Sequence, residues 1–235
     1  MSSITFILHK PQLSENIGAC ARAIKNFDFN KLEVINPKPI FPNDKIIATS
    51  VGAKEIIKSC KVYENLESSL KNIDYLIATS SRFRNKNIKH ISLNELSKID
   101  FSKKIGFLFG SEASGLSNSE IVYANCTMQI PTNPKFKSLN LSHSVIIIAQ
   151  VVASLIKLKI SKYSKSKKIK SASKKDIFSL VNFCINNLEA RDFFKPIEKK
   201  PIMLENLRSI FYRMELSEKE TRILSSVFAN LAKKG

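Results

Sequence analysis

Five short apolar runs, most of them separated by about the length of a helix, constrain this chain more than any other feature. They are ITFIL at 4–8, LEVI at 32–35, YLIAT at 75–79, IGFLF at 105–109 and TMQI at 127–130. Runs this brief and this largely apolar suit strands buried on both faces, and the intervening segments suit crossover helices. The pattern therefore predicts an α/β fold with a parallel sheet covered on both sides. Between the first two runs, Ile17, Ala21 and Ile24 recur at helical spacing, and Asp28-Phe29-Asn30 closes that segment. From Leu141 to about Ile160 the chain reads as one long helix, apolar along most of its length. At 43% hydrophobic residues in 235, the chain can fill such a core.

A different composition begins near residue 160. Lys157 to Lys175 holds nine lysines and no acidic residue, half of the net charge of +18. Charge of this size predicts a polyanionic partner, with nucleic acid favoured over the alternative of a merely solvated, lysine-rich linker. Three helical signals follow. Ile177, Val181, Cys184 and Leu188 keep helical spacing; Leu204, Leu207, Phe211 and Met214 come after Pro201; Ile223, Val227 and Leu231 come after Ser217 and Glu220, a capping box. The expected organisation is a domain over 1–160, a Lys/Ser-rich linker over 161–175 and a helical extension over 176–235. The extension is too small to bury much core unless it docks on something.

Several function classes lose ground at once. Cys20, Cys60, Cys126 and Cys184 form no CxxC pair, and His9, His90 and His143 make no HxxxH or HExxH spacing, so buried free thiols are expected and a metal site is not. No basic region precedes the apolar Ile4–Leu8 stretch, and Val145–Ile156 is interrupted by Gln150 and Ser154 and too short for a bilayer. A cytoplasmic protein without membrane association is the expectation.

Three glycine-bearing or small-polar stretches lie at the ends of expected strands, where an open α/β sheet binds its ligands. In KPQLSENIGACARAIKNF, 10–27, only Gly18 stands where a dinucleotide fold or an ordinary Rossmann-type methyltransferase would want G-x-G. Asn16 and Arg22 are six apart there; Arg22 either grips a phosphate or is a solvated helix arginine. In FLFGSEASGLSNSE, 107–120, Gly110 and Gly115 have P-loop spacing, yet Leu116 occupies the place of the lysine that would hold the outer phosphates, which disfavours a nucleotide hydrolase. Such a turn still lets backbone approach an adenosine or amino-acid moiety closely, with Glu112 beside it, and Ser117 with Glu120 has capping-box spacing. In IPTNPKFKSLNLSHS, 130–144, Ser138 and Asn140 either donate to a ligand or cap the helix that follows.

Taken together, LSENIGACARAIKNF, GFLFGSEASGLSNSE and IPTNPKFKSLNLSHSV, in this order and spacing, closely resemble the three motifs of the SpoU branch of SPOUT-class RNA ribose methyltransferases. The resemblance extends through the first 160 residues, including LIATSSRFR at 76–84, and the tail IMLENLRSIFYRMELSEKETRILSSVFANL resembles the C-terminal helices of those members that methylate cytidine or uridine 32 of tRNA. It implies a deep trefoil knot at the C-terminal side of the sheet, S-adenosyl-L-methionine as cofactor, tRNA as partner, a homodimer whose site is completed across subunits, and no metal. Cofactor contacts then fall on Thr79, Ser80, Ser81, Gly110, Ile130, Lys137, Ser138 and Leu139, and the motif residues of the reaction on Asn16, Arg22, Glu112, Ser138 and Asn140. Lys137 departs from the small polar residue expected before Ser138, and the linker is more basic than the family pattern.

The implied chemistry suits these residue types. A ribose 2′-hydroxyl is a poor nucleophile, so it must be aligned with the methyl donor and relieved of its proton. A guanidinium stays charged in proteins, which favours phosphate positioning by Arg22 and leaves the base open. Glu112 and Asn16 read as braces for the ligand loops. The alternatives are the same chemistry on ribosomal RNA or another tRNA nucleotide, or a non-catalytic RNA-binding protein of this fold.

Overall fold

The computed structural model describes residues 4–81, 88–160 and 170–233. Arg82, Phe83 and Arg84 of the LIATSSRFR stretch, and residues 161–169 of the expected linker, lie outside the described residues. In chain order the elements are β1 (Ile4–His9), α1 (Ser14–Lys25), β2 (Leu32–Ile35), α2 (Asp44–Thr49), α3 (Lys54–Ser59), β3 (Lys61–Tyr63), α4 (Leu66–Leu70), β4 (Tyr75–Thr79), β5 (Lys89–Ile91), β6 (Ile105–Phe109), α5 (Asn118–Ile121), β7 (Cys126–Met128), α6 (Leu141–Ile160), α7 (Lys174–Glu189), α8 (Lys200–Arg213) and α9 (Glu218–Lys233).

The seven strands form one sheet in the order β3-β2-β1-β6-β4-β7-β5, with every adjacent pair parallel. Every residue of β1 and β6 is buried, as continuous apolar runs require. Alternate side chains feed two cores. Phe6, Leu8 and Phe107 meet Ile17, Ala21 and Ile24 of α1 and Val145, Ile148 and Val152 of α6 on one face. On the other, Ile7, Leu76 and Leu108 meet Leu66, Leu70, Leu116 and Ile121. Five of the strands match the five apolar runs; β3 and β5 are additions to the expected sheet. Each is a three-residue edge strand, with Lys61, Val62 and Lys89 exposed, so neither carries an apolar run that could be read. The expected strand at 127–130 is instead Cys126–Met128, which hands Gln129 and Ile130 to the loop that follows.

Gly18 lies inside α1 rather than in a ligand turn. A Cβ there would stand 2.0 Å from Thr49 Oγ1 and 2.4 Å from the Ile46 carbonyl oxygen, so its absence is what lets α2 press against α1.

The three C-terminal helices enclose a core of Ile177, Leu180, Val181, Phe211, Tyr212 and Leu216. The capping box of Ser217 and Glu220 forms at the start of α9, and Pro201 sits in the first turn of α8. Because α7 begins at Lys174, the last two residues of the segment expected as linker are helical. This small unit docks on the sheet. The Lys174 N–H donates to the Ile73 carbonyl at 2.7 Å, and Tyr123 and Tyr212 have ring centroids 5.2 Å apart. Asn125, 4% exposed, accepts from the Leu76 N–H at 2.9 Å and donates to the Tyr212 carbonyl at 2.8 Å. One side chain thereby extends the ladder of β4 and fastens the end of α8 to it.

Candidate active site

The carboxyl ends of β4, β6 and β7 open into one cleft with a cavity volume of about 170 Å³. Thr79, Ser80 and Ser81 enter it from the end of β4, Gly110 to Leu116 from the turn after β6, and Ile130, Lys137, Ser138 and Leu139 from the connection between β7 and α6. All eight residues expected to contact a cofactor, together with Glu112, line this cleft. Ser111, Ser114, Met128, Leu141 and Ser144 line it too. The sequence reading did not single these out, although Ser111 and Ser114 stand within the quoted glycine motif.

The turn after β6 is tight for reasons visible in its glycines. A Cβ on Gly110 would lie 2.3 Å from the carbonyl carbon of Gly115 and 2.4 Å from the Leu116 nitrogen, both backbone atoms that cannot rotate away. Gly115 has φ of +67°, and its N–H donates to the Ser111 carbonyl at 2.9 Å, closing the loop on itself. Leu116, where a P-loop would place lysine, is 1% exposed and packs into the core. The loop therefore offers a ligand backbone and hydroxyl groups without a cation, and the triphosphate reading fails on a buried side chain.

Glu112 fastens this turn to α1. Its carboxylate accepts from the Gln12 N–H at 2.8 Å, from the Leu13 N–H at 3.4 Å and from Asn16 Nδ2 at 2.7 Å. Asn16, itself buried, accepts from Asn140 Nδ2 at 3.0 Å. Asn140 Oδ1 caps α6, taking the Ser142 N–H at 2.8 Å and the Ser142 hydroxyl at 2.7 Å. A carboxylate only accepts and a backbone N–H only donates, so both amide orientations are forced along the line from Ser142 to Glu112. Asn140 thus caps its helix and also reaches the first motif, where the sequence left these as alternatives.

A second tie joins β1 to α5. Glu120 accepts from the Ser117 N–H at 2.7 Å and from Lys10 Nζ at 3.0 Å, with His9 Nδ1 at 3.3 Å. Burial pushes the Glu120 carboxyl up, but the Ser117 N–H, Lys10 and His9 outweigh it and hold the group below the usual carboxylate range. Burial lowers His9, against the pull of Glu120.

Arg22 is not brought to this cleft. It lies exposed on α1, six residues from Asn16 and so about 120° around the helix from it. Among the described residues its guanidinium has no hydrogen-bond or ion-pair partner. Nor do the described residues contain a group of three or more His, Cys, Asp or Glu placed to hold a metal ion. None of the described helices is long and apolar enough to cross a membrane.

Comparison with known proteins places the chain in a family. Residues 3–150 match the model of the SpoU rRNA Methylase family. The chain is 30% identical over 231 residues to the tRNA (cytidine-2′-O-)-methyltransferase TrmJ of Methanocaldococcus jannaschii, covering 96% of this chain and 98% of the relative. To the tRNA (cytidine/uridine-2′-O-)-methyltransferase TrmJ of Pectobacterium atrosepticum it is 26% identical, over 99% of this chain and 98% of that one. The crystal structure of TrmJ from Z. mobilis superimposes with a TM-score of 0.86 at 25% identity, covering 97% of this chain and 98% of that chain. With the family matched over more than half its length and TrmJ proteins matched from end to end, the chain belongs to the SpoU rRNA methylase family as a TrmJ-like methyltransferase.

Proposed function

We propose that this protein transfers a methyl group from S-adenosyl-L-methionine to a ribose 2′-hydroxyl of tRNA, at cytidine or uridine 32 of the anticodon loop. The observation that carries the proposal is the hydrogen-bonded line Asn140, Asn16, Glu112, which joins all three motifs beside the cleft. The full-length similarity to proteins named as tRNA 2′-O-methyltransferases supports the choice of tRNA. A trefoil knot belongs to the same proposal. The segment after β7 runs beside the β4 loop, where the Ser80 N–H donates to the Met128 carbonyl and Gln129 Nε2 to the Ser81 carbonyl.

The wall chemistry fits the cofactor. Gly110 lets the Gly115–Leu116 backbone close the turn that forms one wall, Ile130, Leu139 and Met128 supply apolar surface for an adenine ring, and Ser111, Ser114 and Ser138 supply polar groups for ribose and amino-acid ends. When bound, the cofactor supplies an electrophilic methyl group. The protein then has to present the hydroxyl in line with it and exclude other geometries, with alignment supplying much of the rate. The relay from Asn140 through Asn16 to Glu112 sets the cleft walls against each other. Arg22, exposed and away from its own cleft, suits a phosphate held over the cleft of a second subunit. A homodimer is supported by α6, which leaves Ile146, Ile147, Val151 and Leu155 half-buried beside α1. Such an enzyme would work in the cytoplasm, where its substrate is.

The decisive experiment incubates the protein with S-adenosylmethionine and unmodified tRNA transcripts and maps 2′-O-methyl groups by mass spectrometry. Methyl at nucleotide 32 supports the proposal; methyl at another tRNA nucleotide keeps the chemistry and replaces the site. Methyl on ribosomal RNA alone would favour the substrate named in the family description. Cofactor binding without any transfer would favour a non-catalytic RNA-binding role.

A further inference from the structure

Phe136 is 75% exposed, more than any other aromatic side chain among the described residues. Exposure of this degree usually belongs to a loosely held segment, but this one is tied. The Phe136 N–H donates to the Asn133 carbonyl at 2.9 Å, the Lys135 N–H donates to Asn133 Oδ1 at 2.9 Å, and Thr132 Oγ1 donates to the Lys137 carbonyl at 3.4 Å. Pro134 follows Asn133, the order that a hydrogen-bonded four-residue turn prefers. The ring is thus carried into solvent on a fixed turn, with the ordering cost met in the free protein.

Its neighbours say what such a ring would meet. Lys137, the next residue, lines the cleft, and Lys135 and Lys137 are both exposed. A ribose whose 2′-oxygen reaches the cleft carries its base on the adjacent carbon, so that base must lie at the cleft rim. An exposed aromatic between two lysines is the chemistry by which proteins hold an unstacked base and its phosphates.

Resting on the ribose-methylation reading, we propose that Phe136 is a substrate-positioning residue that stacks on an unpaired base of the RNA, the target base or its immediate neighbour. Stacking of this kind tolerates any base, because each has a π-face. The residue therefore sets where the RNA lies rather than which base is accepted.

The test compares Phe136→Leu, Phe136→Ala and Phe136→Trp with the unaltered protein, using a tRNA transcript that the latter methylates. The leucine and alanine variants should raise the KM for RNA about tenfold or more, as lost stacking predicts, with the KM for S-adenosylmethionine unchanged and the tryptophan variant near the parent. A transcript with 2-aminopurine at the target position or beside it should be quenched by the parent and the tryptophan variant but not by the leucine variant. If the leucine variant matches the parent in RNA KM and quenching, the stacking role is overturned while the methylation reading stands. If it instead falls to monomer in sedimentation, Phe136 is a subunit contact and the proposal is overturned. A parent protein that neither binds nor methylates RNA would remove the methylation reading and this proposal together.

Discussion

Asn16 donates to Glu112 at 2.7 Å, joining the first turn of α1 to the loop after β6 across 96 positions of sequence. Two backbone N–H groups of the α1 approach converge on the same carboxylate, so Glu112 is an acceptor for three donors and faces no other role in the free protein. In Glu112→Gln one of those oxygens becomes an NH2 that must face N–H donors. Loss of a charge-assisted bond predicts a fall in stability of about 1.5–3 kcal/mol. Urea denaturation should show it, and calorimetric titration with S-adenosylhomocysteine should show weaker binding because the cleft wall is no longer fastened. A glutamine variant as stable and as tight as the parent would mean that the loop holds its shape without the relay.

Gly110 makes a sharper test of the cleft alone. In Gly110→Ala the new methyl meets backbone at 2.3 and 2.4 Å, so the turn itself must move. The expected outcome is at least a tenfold loss of cofactor affinity with the far-ultraviolet circular dichroism unchanged, since the sheet below is buried independently of the turn. Equal affinity in calorimetry would show that the ligand does not use this wall.

What could be read in advance, and what could not, follows from how each residue is held. β1, β4 and β6 are buried on both faces over nearly all their length, so most of their residues are apolar and their places were legible; β3 and β5, at the sheet edges, have no such obligation. Asn140 could be seen as a cap because capping is local, whereas its bond to Asn16, 124 positions away, has no local signature. Gly18 looked like part of a ligand loop because it follows the first strand, where a dinucleotide fold would place its glycines, and only the close approach of α2 explains it. Asn125 gave no signal at all. Its work is done between Leu76 and Tyr212, two residues that are neighbours only after folding.

Lys174 predicts an unusual pH dependence. Burial drives its ammonium down to about 7, where it lies over the Tyr212 ring at 4.9 Å between the sheet and the C-terminal helices. The groups facing it include Asp74, Lys103, Cys126 and Glu215. Above pH 7 the folded protein has released this proton while the unfolded chain, with an ordinary lysine, still binds it. Stability therefore rises with pH from about 7, by at most about 1.4 kcal/mol per pH unit. Above about pH 9 the buried thiols reverse the trend, because burial holds Cys126 up at about 11 and Cys60 at about 12 while unfolded thiols ionise earlier. Urea midpoints between pH 7 and 8 should rise in the parent relative to Lys174→Met, which keeps the same thiols. A parent curve parallel to the variant's would mean that the lysine is charged in the folded protein throughout.

Gly18→Ala sets two effects of opposite sign against each other. Inside a helix, alanine is favoured over glycine by about 1 kcal/mol, so propensity alone predicts a more stable protein. Against this, the added methyl would lie 2.0 Å from Thr49 Oγ1 and 2.4 Å from the Ile46 carbonyl oxygen. The threonine can turn away only by giving up its 2.8 Å bond to the Lys45 carbonyl, and the Ile46 oxygen is backbone within α2. Overpacking of this kind costs about 1–3 kcal/mol, and with a backbone atom involved the upper part of that range applies, so destabilisation wins. Because α1 also carries Asn16, displacement of the helix should lower methyl transfer along with the thermal midpoint. Adding Thr49→Ala removes one overlap and leaves the other, so the double variant should recover part of the stability and not all of it. A single variant more stable than the parent would show that α1 and α2 can separate freely, and that their close approach does not set the position of Asn16.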